Sequence, residues 1–488
     1  MNRVGPTCGE PLIFKKTTPG ACAVDLGESD VPSTDSLHAI PVALLAEDAP
    51  PLPELGECEI VRHYTRLGSR LFSVDANFYP LGSCTMKYNP RVNEWAAALP
   101  GFSNLHPLQP DADMQGALEL LYNLRAFLAE IAGLDEVSLQ PAAGAHGEMA
   151  SLMVINAYHA DHGGLRPDVL TADTAHGTNP ASCTICGRNA TPVKSRPDGL
   201  LDLDDLRSKV TEQTAALMIT NPNTVGKFDH QIQAMAEILH ERGALLYLDG
   251  ANMNAILGIT RPGDFGVDVM HYNTHKTFST PHGCGGPGAG PIAVCKKLAP
   301  YLPAPQVNKR SDGTFFLDYD IPKSIGRVRT FFGQFSVLVR CYAYIRALGP
   351  EGLKDVSEKA VLAANYLAAR LKDIPGYQLP FSGPYSHEFL LKPGLKDGLR
   401  VLDFAKRLID FGFHPPTMEW PIHGTLMIEP TETESKATLD AFVATMEQIA
   451  HEAAESPDIL KNAPTEAWID RADEVRASRK PDLRWRPE

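Results

Sequence analysis

The chain has 488 residues, 43% of them hydrophobic, enough to bury large cores and ordinarily to form more than one domain. A formal net charge of -14 and a pI near 5.6 offer no basic face for nucleic-acid phosphates. The stretch from Met1 to Lys16 has no continuous apolar signal segment, no run reaches membrane-spanning length, and nine scattered cysteines make no secreted disulfide framework, so the expectation is a soluble cytoplasmic protein.

In chain order, residues 1–110 contain proline-rich stretches such as Ala49-Pro50-Pro51-Leu52-Pro53, which resist regular helix and suit an extended arm over a partner. Residues 111–330 alternate strand and helix signals, which implies a parallel sheet covered by helices. Val137-Ser138-Leu139 reads as a strand. The glycine-rich turn Gly144-Ala145-His146-Gly147-Glu148 follows, ahead of a helix expected over Glu148 to Ala160. Free amides and the dipole at such a helix start hold a phosphate. Asp168 to Ala172 is a second strand and leads into Ala175-His176-Gly177-Thr178-Asn179. His176 is placed to stack on a planar ring, although a core or surface histidine is the plainer alternative.

Cys183 and Cys186 form a C-x-x-C pair, but no second pair accompanies it to complete a zinc site, so no metal is expected. The run Ala215 to Thr220 ends in Asn221-Pro222-Asn223-Thr224. Asp229 to Arg242 reads as a helix with Asp229 as cap, an apolar stripe of Ile232, Met235, Ile238 and Leu239, and Gly243 as stop. Next, Ala244 to Leu248 is short and wholly apolar, as befits a strand buried on both faces, and it ends in Asp249-Gly250-Ala251-Asn252. An acid at the carboxyl end of such a strand points into a ligand crevice.

His271-Tyr272-Asn273-Thr274-His275-Lys276 follows. A cofactor with a protonated pyridine nitrogen needs a carboxylate to keep that proton, and its aldehyde needs a lysine amine for a Schiff base. Asp249 and Lys276 suit those two needs and suggest pyridoxal 5'-phosphate, though an acid after a strand and a loop lysine also occur without any cofactor. The run Gly283-Cys284-Gly285-Gly286-Pro287-Gly288-Ala289-Gly290, before the apolar Pro291 to Val294, permits close backbone approach to a ligand or makes a flexible turn. Beyond it, residues 331–488 open with a long helix over Phe331 to Leu348 and continue as a smaller α/β domain. The basic stretch from Arg476 to Arg486 reads as a solvated surface segment.

Taken together, several ordered motifs carry a family resemblance. They are Ser138-Leu139-Gln140-Pro141 with Gly144-Ala145, Ala175-His176-Gly177-Thr178-Asn179-Pro180-Ala181-Ser182, Thr220-Asn221-Pro222-Asn223-Thr224, Asp249-Gly250-Ala251-Asn252 and His275-Lys276-Thr277-Phe278. Two more flank them, Asn77 to Pro90 near the start and Ile428-Glu429-Pro430-Thr431-Glu432-Thr433-Glu434-Ser435 near the end. The set resembles the P-protein of the glycine cleavage system, glycine dehydrogenase (decarboxylating), over nearly the whole chain, and in length it is similar to the family's separate subunit 2. Two positions depart from the family pattern: His146 stands where glutamine is usual, and Cys284 interrupts a run that is commonly all glycine.

The resemblance implies an α/β fold of the aspartate aminotransferase type. It has a pyridoxal-phosphate transferase-like large domain with a mostly parallel sheet, a smaller C-terminal α/β domain and an extended N-terminal arm. It implies pyridoxal phosphate on Lys276, with Asp249, His176, Gly144, Ala145, His146, Thr178, Asn221, Asn252 and Thr274 around it. His275 and His271 become candidates for the proton needed by a departing lipoyl thiolate. Arg329 is the choice for the glycine carboxylate because a bidentate guanidinium suits it, with a surface salt bridge as its alternative. Ser83 and Cys84 fall on the substrate side, Cys84 equally as a packing residue. The implied reaction is decarboxylation of glycine and transfer of the aminomethyl group to the lipoyl arm of the H-protein, alongside a subunit 1 partner in a two-plus-two heterotetramer. A stand-alone amino acid decarboxylase and a cofactor-free scaffold subunit are the alternatives.

Overall fold

The structure, a computed structural model, describes residues 9–25, 27–32, 40–48, 50–282 and 288–486. Ala49, Cys284 and the rest of 283–287 lie outside the described residues, as do residues 1–8 of the N-terminal stretch. Two compact units are present, Met1–Ser73 and Val74–Glu488. In the first, the helix Glu57–Gly68 carries His63 and Arg66 to the Glu10 carboxylate, which also accepts from Lys16 at 2.8 Å. Those hydrogen bonds, Lys16 foremost and His63 next, pull the Glu10 carboxyl down to about 2.

The second unit is built on a seven-stranded sheet of β1 (Glu136–Ser138), β2 (Asp168–Ala172), β3 (Asn189–Val193), β4 (Thr214–Thr220), β5 (Leu245–Gly250), β6 (Val269–Tyr272) and β7 (Ile292–Val294). Its spatial order is β1-β7-β6-β5-β4-β2-β3. Only β7 runs against its neighbours, so the sheet is mostly parallel, as the alternation of strand and helix signals implies. Side chains alternate between the two faces with period two. Leu245, Tyr247 and Val269 enter a core with Leu152 and Ile155 of the helix Gly144–Asp161. Leu246, Leu248 and Met270 enter the opposite core, with Leu124 of the helix Gln115–Ala132 and Met235 of the helix Ile232–His240. A strand apolar at every position is stable only when covered twice, and β5 is buried throughout.

The same alternation decides where the site sits. Asp249 continues the Leu245 and Tyr247 series and His271 the Val269 series, so both face the helix Gly144–Asp161.

Two helical expectations change. The first helix starts at Gly144, because its glycines allow the helix end to lie against bare backbone: a Cβ on Gly147 would sit 2.7 Å from the Gly290 carbonyl oxygen. Asp229 does not cap the other helix, which spans Ile232–His240. Its carboxylate accepts the Leu201 N–H at 2.9 Å and the Gln231 N–H at 3.0 Å and holds a loop together.

Beyond a hairpin of β8 (Gln306–Lys309) and β9 (Phe315–Asp318), the long helix Phe335–Leu371 is broken at Gly349 (φ 63°, ψ -176°) before Pro350. Its first half adds Val337 and Leu338 to the large-domain core, and its second half adds Leu367 and Leu371 to a separate small-domain core. That second core covers an antiparallel sheet of β10 (Tyr377–Gln378), β11 (Phe389–Pro393), β12 (Thr417–Met418) and β13 (Leu426–Ile428), ordered β10-β11-β13-β12.

Leu248 has no exposed surface and faces away from Asp249. Leu248→Ala is expected to cost about 2–5 kcal/mol of stability through lost burial and the cavity left behind. In urea unfolding this appears as a lower midpoint at unchanged slope, while the site on the other face keeps its ligand affinity.

Candidate active site

Strand register assembles the centre of the site. Thr220 of β4 pairs with Asp249 of β5, and Asp249 with His271 of β6, so three polar side chains lie side by side at the carboxyl ends of three adjacent parallel strands. Asp249 is buried. Its carboxylate accepts the Ala251 N–H at 3.0 Å and the Asn179 amide at 3.1 Å, and His271 Nε2 stands 3.4 Å away. Burial acts to raise the Asp249 carboxyl, but the His271 charge, the Asn179 amide and Lys276 outweigh it, and the net direction is downward. His271 is itself braced by the Tyr247 hydroxyl at 2.5 Å from Nδ1 and by the Asn273 amide at 3.3 Å from Nε2.

One cavity joins Asp249, His271, His275, Lys276, His176, Thr178, Asn252, Gly144, Ala145 and Ser83. The Lys276 amine donates to the Ser83 carbonyl oxygen at 2.8 Å. The helix Gly144–Asp161 begins at the same cavity with no side chain capping it, which leaves its first-turn amides to meet an anion. There is room for this because Gly144 has no side chain: a Cβ would lie 2.1 Å from the Asn273 amide oxygen. Burial first, then the charges of His282 and Lys276, push His275 down to about 3; burial and Lys276 push His282 down to about 4. Both rings are neutral at physiological pH.

Other expected residues lie elsewhere. His146 does not line the cavity: Nδ1 accepts the Ala142 N–H at 3.2 Å, and burial together with the Arg329 charge lowers its pKa. Asn221 exchanges hydrogen bonds with the Asp229 backbone at 2.8 and 3.2 Å, and Thr274 donates to the Ala289 carbonyl at 3.3 Å, so both knit loops. Arg329 lines a second, largely apolar cavity with Leu105, Met114 and Phe332. Cys84 does not line the Lys276 cavity, and burial raises its thiol to about 11, which keeps it protonated. Burial likewise lifts Cys183 to about 12, and Cys183 and Cys186 are both free thiols.

Sequence reasoning missed Glu148. It lines the cavity and accepts from Thr178 Oγ1 at 2.6 Å and Ser182 Oγ at 3.0 Å. The available signal was its place four residues after Gly144, one turn along the same helix face.

The sequence matches the family described as glycine cleavage system P-protein over residues 34–314, and the glycine dehydrogenase C-terminal domain over 356–466. The chain belongs to the glycine cleavage system P-protein family. Among relatives in that family, it is 54% identical over 481 residues to the probable glycine dehydrogenase (decarboxylating) subunit 2 of Bacillus licheniformis, covering 98% of this chain and 99% of that one. It is 55% identical to the protein of the same description from Halalkalibacterium halodurans, covering 98% of each chain. In fold it is similar to an inhibitor-bound glycine decarboxylase P-protein, with a TM-score of 0.73 at 23% identity over 86% of this chain and 95% of that one. A sphingosine-1-phosphate lyase of Burkholderia pseudomallei shares the fold at a TM-score of 0.63, with 16% identity over 86% of this chain and 98% of that one.

The residues present suit pyridoxal phosphate: an acid for a pyridine nitrogen, a lysine for an aldehyde, an imidazole over the cavity and an uncapped helix start for a phosphate.

His275 makes the fold acid-sensitive in a defined way. Its folded pKa lies near 3 against an ordinary 6.5, so between those values the unfolded chain binds a proton that the folded chain does not. Stability therefore falls as pH drops from 6.5 toward 3, by at most about 1.4 kcal/mol per pH unit from this group. In a series of melting curves of the cofactor-free protein against pH, His275→Asn should flatten that acid limb.

Proposed function

We propose that this chain is the catalytic subunit of glycine dehydrogenase (decarboxylating): it decarboxylates glycine and passes the aminomethyl group to the lipoyl arm of the H-protein. It does so in the cytoplasm, in a two-plus-two heterotetramer with subunit 1. The observation that carries this reading is the convergence of Lys276, Asp249, His176 and an uncapped helix start on one cavity of a P-protein fold. Pyridoxal phosphate, when bound, supplies an aldehyde for an amine and an electron sink for the carbanion left by carbon dioxide.

The chain's own residues do the rest. Lys276 is the amine that holds the cofactor and yields its place to glycine. Asp249, kept ionised by its neighbours, fixes a proton on the ring nitrogen, while the first-turn amides of Gly144 and Ala145 hold the phosphate; the Thr178 hydroxyl, which donates to Glu148, borders the same cavity. His176 covers one ring face, and Asn252, whose amide donates to the Pro222 carbonyl at 2.9 Å, lines the same cavity. His271, between Tyr247 and Asp249, orients the acid. His275 enters as a neutral ring, and a neutral imidazole passes a proton on by taking one at one nitrogen while giving one from the other. Ser83, beside the lysine amine, meets the glycine end of the cavity. Arg329, on the second cavity, has no part in this assignment.

Lys276→Ala is expected to abolish glycine-dependent exchange of labelled carbon dioxide, measured with subunit 1 and the lipoylated carrier present, and to remove the visible imine band of the loaded protein. Full exchange by that variant would refute the assignment. Exchange by the wild type that is indifferent to the carrier would point instead to a decarboxylase acting alone.

A further inference from the structure

The lysine amine at the heart of the site hydrogen-bonds to a turn that is not part of the large domain's sheet. Residues 81–88 form a strap between the Lys276–Ser279 loop and the small domain. At one end, Leu81 bridges to Ile428 of β13, and Gly82 N–H donates to the Met427 carbonyl at 3.2 Å. At the other, buried Lys87 donates to Glu432 at 2.5 Å and to the Thr277 carbonyl at 2.9 Å, and Ser279 Oγ donates to the Tyr88 carbonyl at 2.7 Å. Between these ends the backbone is strained. Ser83 has φ 64° and Thr85 φ 50°, a region that β-branched threonine adopts only when its surroundings impose it. Six non-glycine residues among those described have such φ values, and four of them, Ser83, Thr85, Ser279 and Thr431, lie along this strap or beside it.

Two carboxylates impose the turn. Glu388 and Glu429 stand one residue beyond the Phe389↔Ile428 pair of β11 and β13, opposite one another, and neither has exposed surface. Glu388 Oε2 accepts the Ser83 N–H at 2.7 Å. Glu429 accepts the Thr85 N–H at 2.8 Å on Oε2 and the Thr85 hydroxyl at 2.6 Å on Oε1, with the Asn254 amide at 3.3 Å. Ser83 O, between these two anchors, is the atom that receives the Lys276 amine.

We propose that Glu388 and Glu429 are positioning residues for Lys276: from the small domain they hold the strained Ser83–Thr85 turn by its N–H groups, so that the Ser83 carbonyl orients the lysine amine. This rests on Lys276 being the cofactor lysine. Burial first, and the Glu429 charge second, push the Glu388 carboxyl well above its ordinary value, and among the described residues only its Oε2 accepts a hydrogen bond, from Ser83. An amide therefore replaces it well. Glu429 uses both oxygens as acceptors, and an amide cannot. His387, buried with both ring nitrogens unpartnered among the described residues, stands 3.8 and 3.9 Å from the two carboxylates, too far for hydrogen bonds. The alternative occupant of that spacing is a divalent cation.

The test compares Glu388→Ala, Glu388→Gln and Glu429→Ala, each checked for folding by far-UV dichroism, and reads the rate of pyridoxal phosphate uptake and the induced dichroism of its visible band, which reports cofactor orientation. Both alanine variants should slow uptake by about tenfold, the worth of one buried hydrogen bond, and lose much of the induced signal. Glu388→Gln should keep both. Since glycine takes a positive φ without restraint, adding Thr85→Gly to Glu429→Ala should restore much of the signal. Wild-type uptake and dichroism in the alanine variants, no recovery in the glycine double variant, or a stoichiometric divalent metal in the purified protein would each overturn the proposal. Lys276→Ala separates the two readings: a visible imine band that survives in it sinks the lysine assignment, whereas its loss there, beside unaltered glutamate variants, sinks the positioning role alone.

Discussion

The site is organised around one electrostatic demand, the burial of the Asp249 carboxylate at the end of β5. Taking a carboxylate out of water costs several kcal/mol unless donors and opposite charge replace the lost hydration. Here the Ala251 N–H, the Asn179 amide and His271 do so, and His271 in turn needs Tyr247 and Asn273 to hold its ring. Those partners come from β5, β6, the loop beyond β6 and the helix Thr178–Ile185, so the network exists only if the strands lie in the observed order. A second buried acid, Glu148, accepts from the Thr178 and Ser182 hydroxyls. Two acids facing one cavity that holds Lys276 favour a ligand that brings a protonated ring nitrogen.

How much of this is legible in the chain follows from the range of each interaction. Strands β2, β4 and β5 are recognisable as short apolar runs because burial on both faces leaves no alternation to disguise them. Asp249 and Lys276 stand out as cofactor candidates because one sits at a strand end and the other just beyond one, whereas His271 enters the sequence reading as a proton donor and its place beside Asp249 comes from the register of β5 and β6. Local polar chemistry is less readable. Asp229 looks like a helix cap, yet its carboxylate serves the Leu201 and Gln231 amides, and which donor wins depends on a loop 28 residues away. Gly144 and Gly147 read as turn glycines, but what they relieve is contact with Asn273, His271 and Gly290, across more than a hundred residues of chain.

Hardest to read are contacts between residues 305 and 344 positions apart, Ser83 with Glu388 and Thr85 with Glu429. Both ends belong to motifs quoted for the family resemblance or lie beside a strand start, yet nothing in either segment names the other. Their meeting is a product of topology: β11 and β13 must pair antiparallel in one register before two glutamates can face one turn. Arg329 shows the same dependence on topology. Its chemistry suits a carboxylate, but the backbone after β9 carries it to another cavity.

The attachment of the small domain gives those long-range contacts their stiffness. Gly226 (φ 80°) lies so close to β11 that a Cβ would sit 2.0 Å from the Glu388 carbonyl oxygen, and a Cβ on Gly82 would sit 2.7 Å from the Met427 carbonyl oxygen. Backbone against backbone at such range leaves no side chain to repack and favours a single placement. Glu388 is thereby anchored twice, through its own carbonyl region against the large-domain loop at Gly226 and through its carboxyl on Ser83. A flexible lysine side chain gains a definite direction only if its acceptor has one, and Ser83 O takes its direction from a turn held by Glu388 and Glu429, whose strands these packed glycines place.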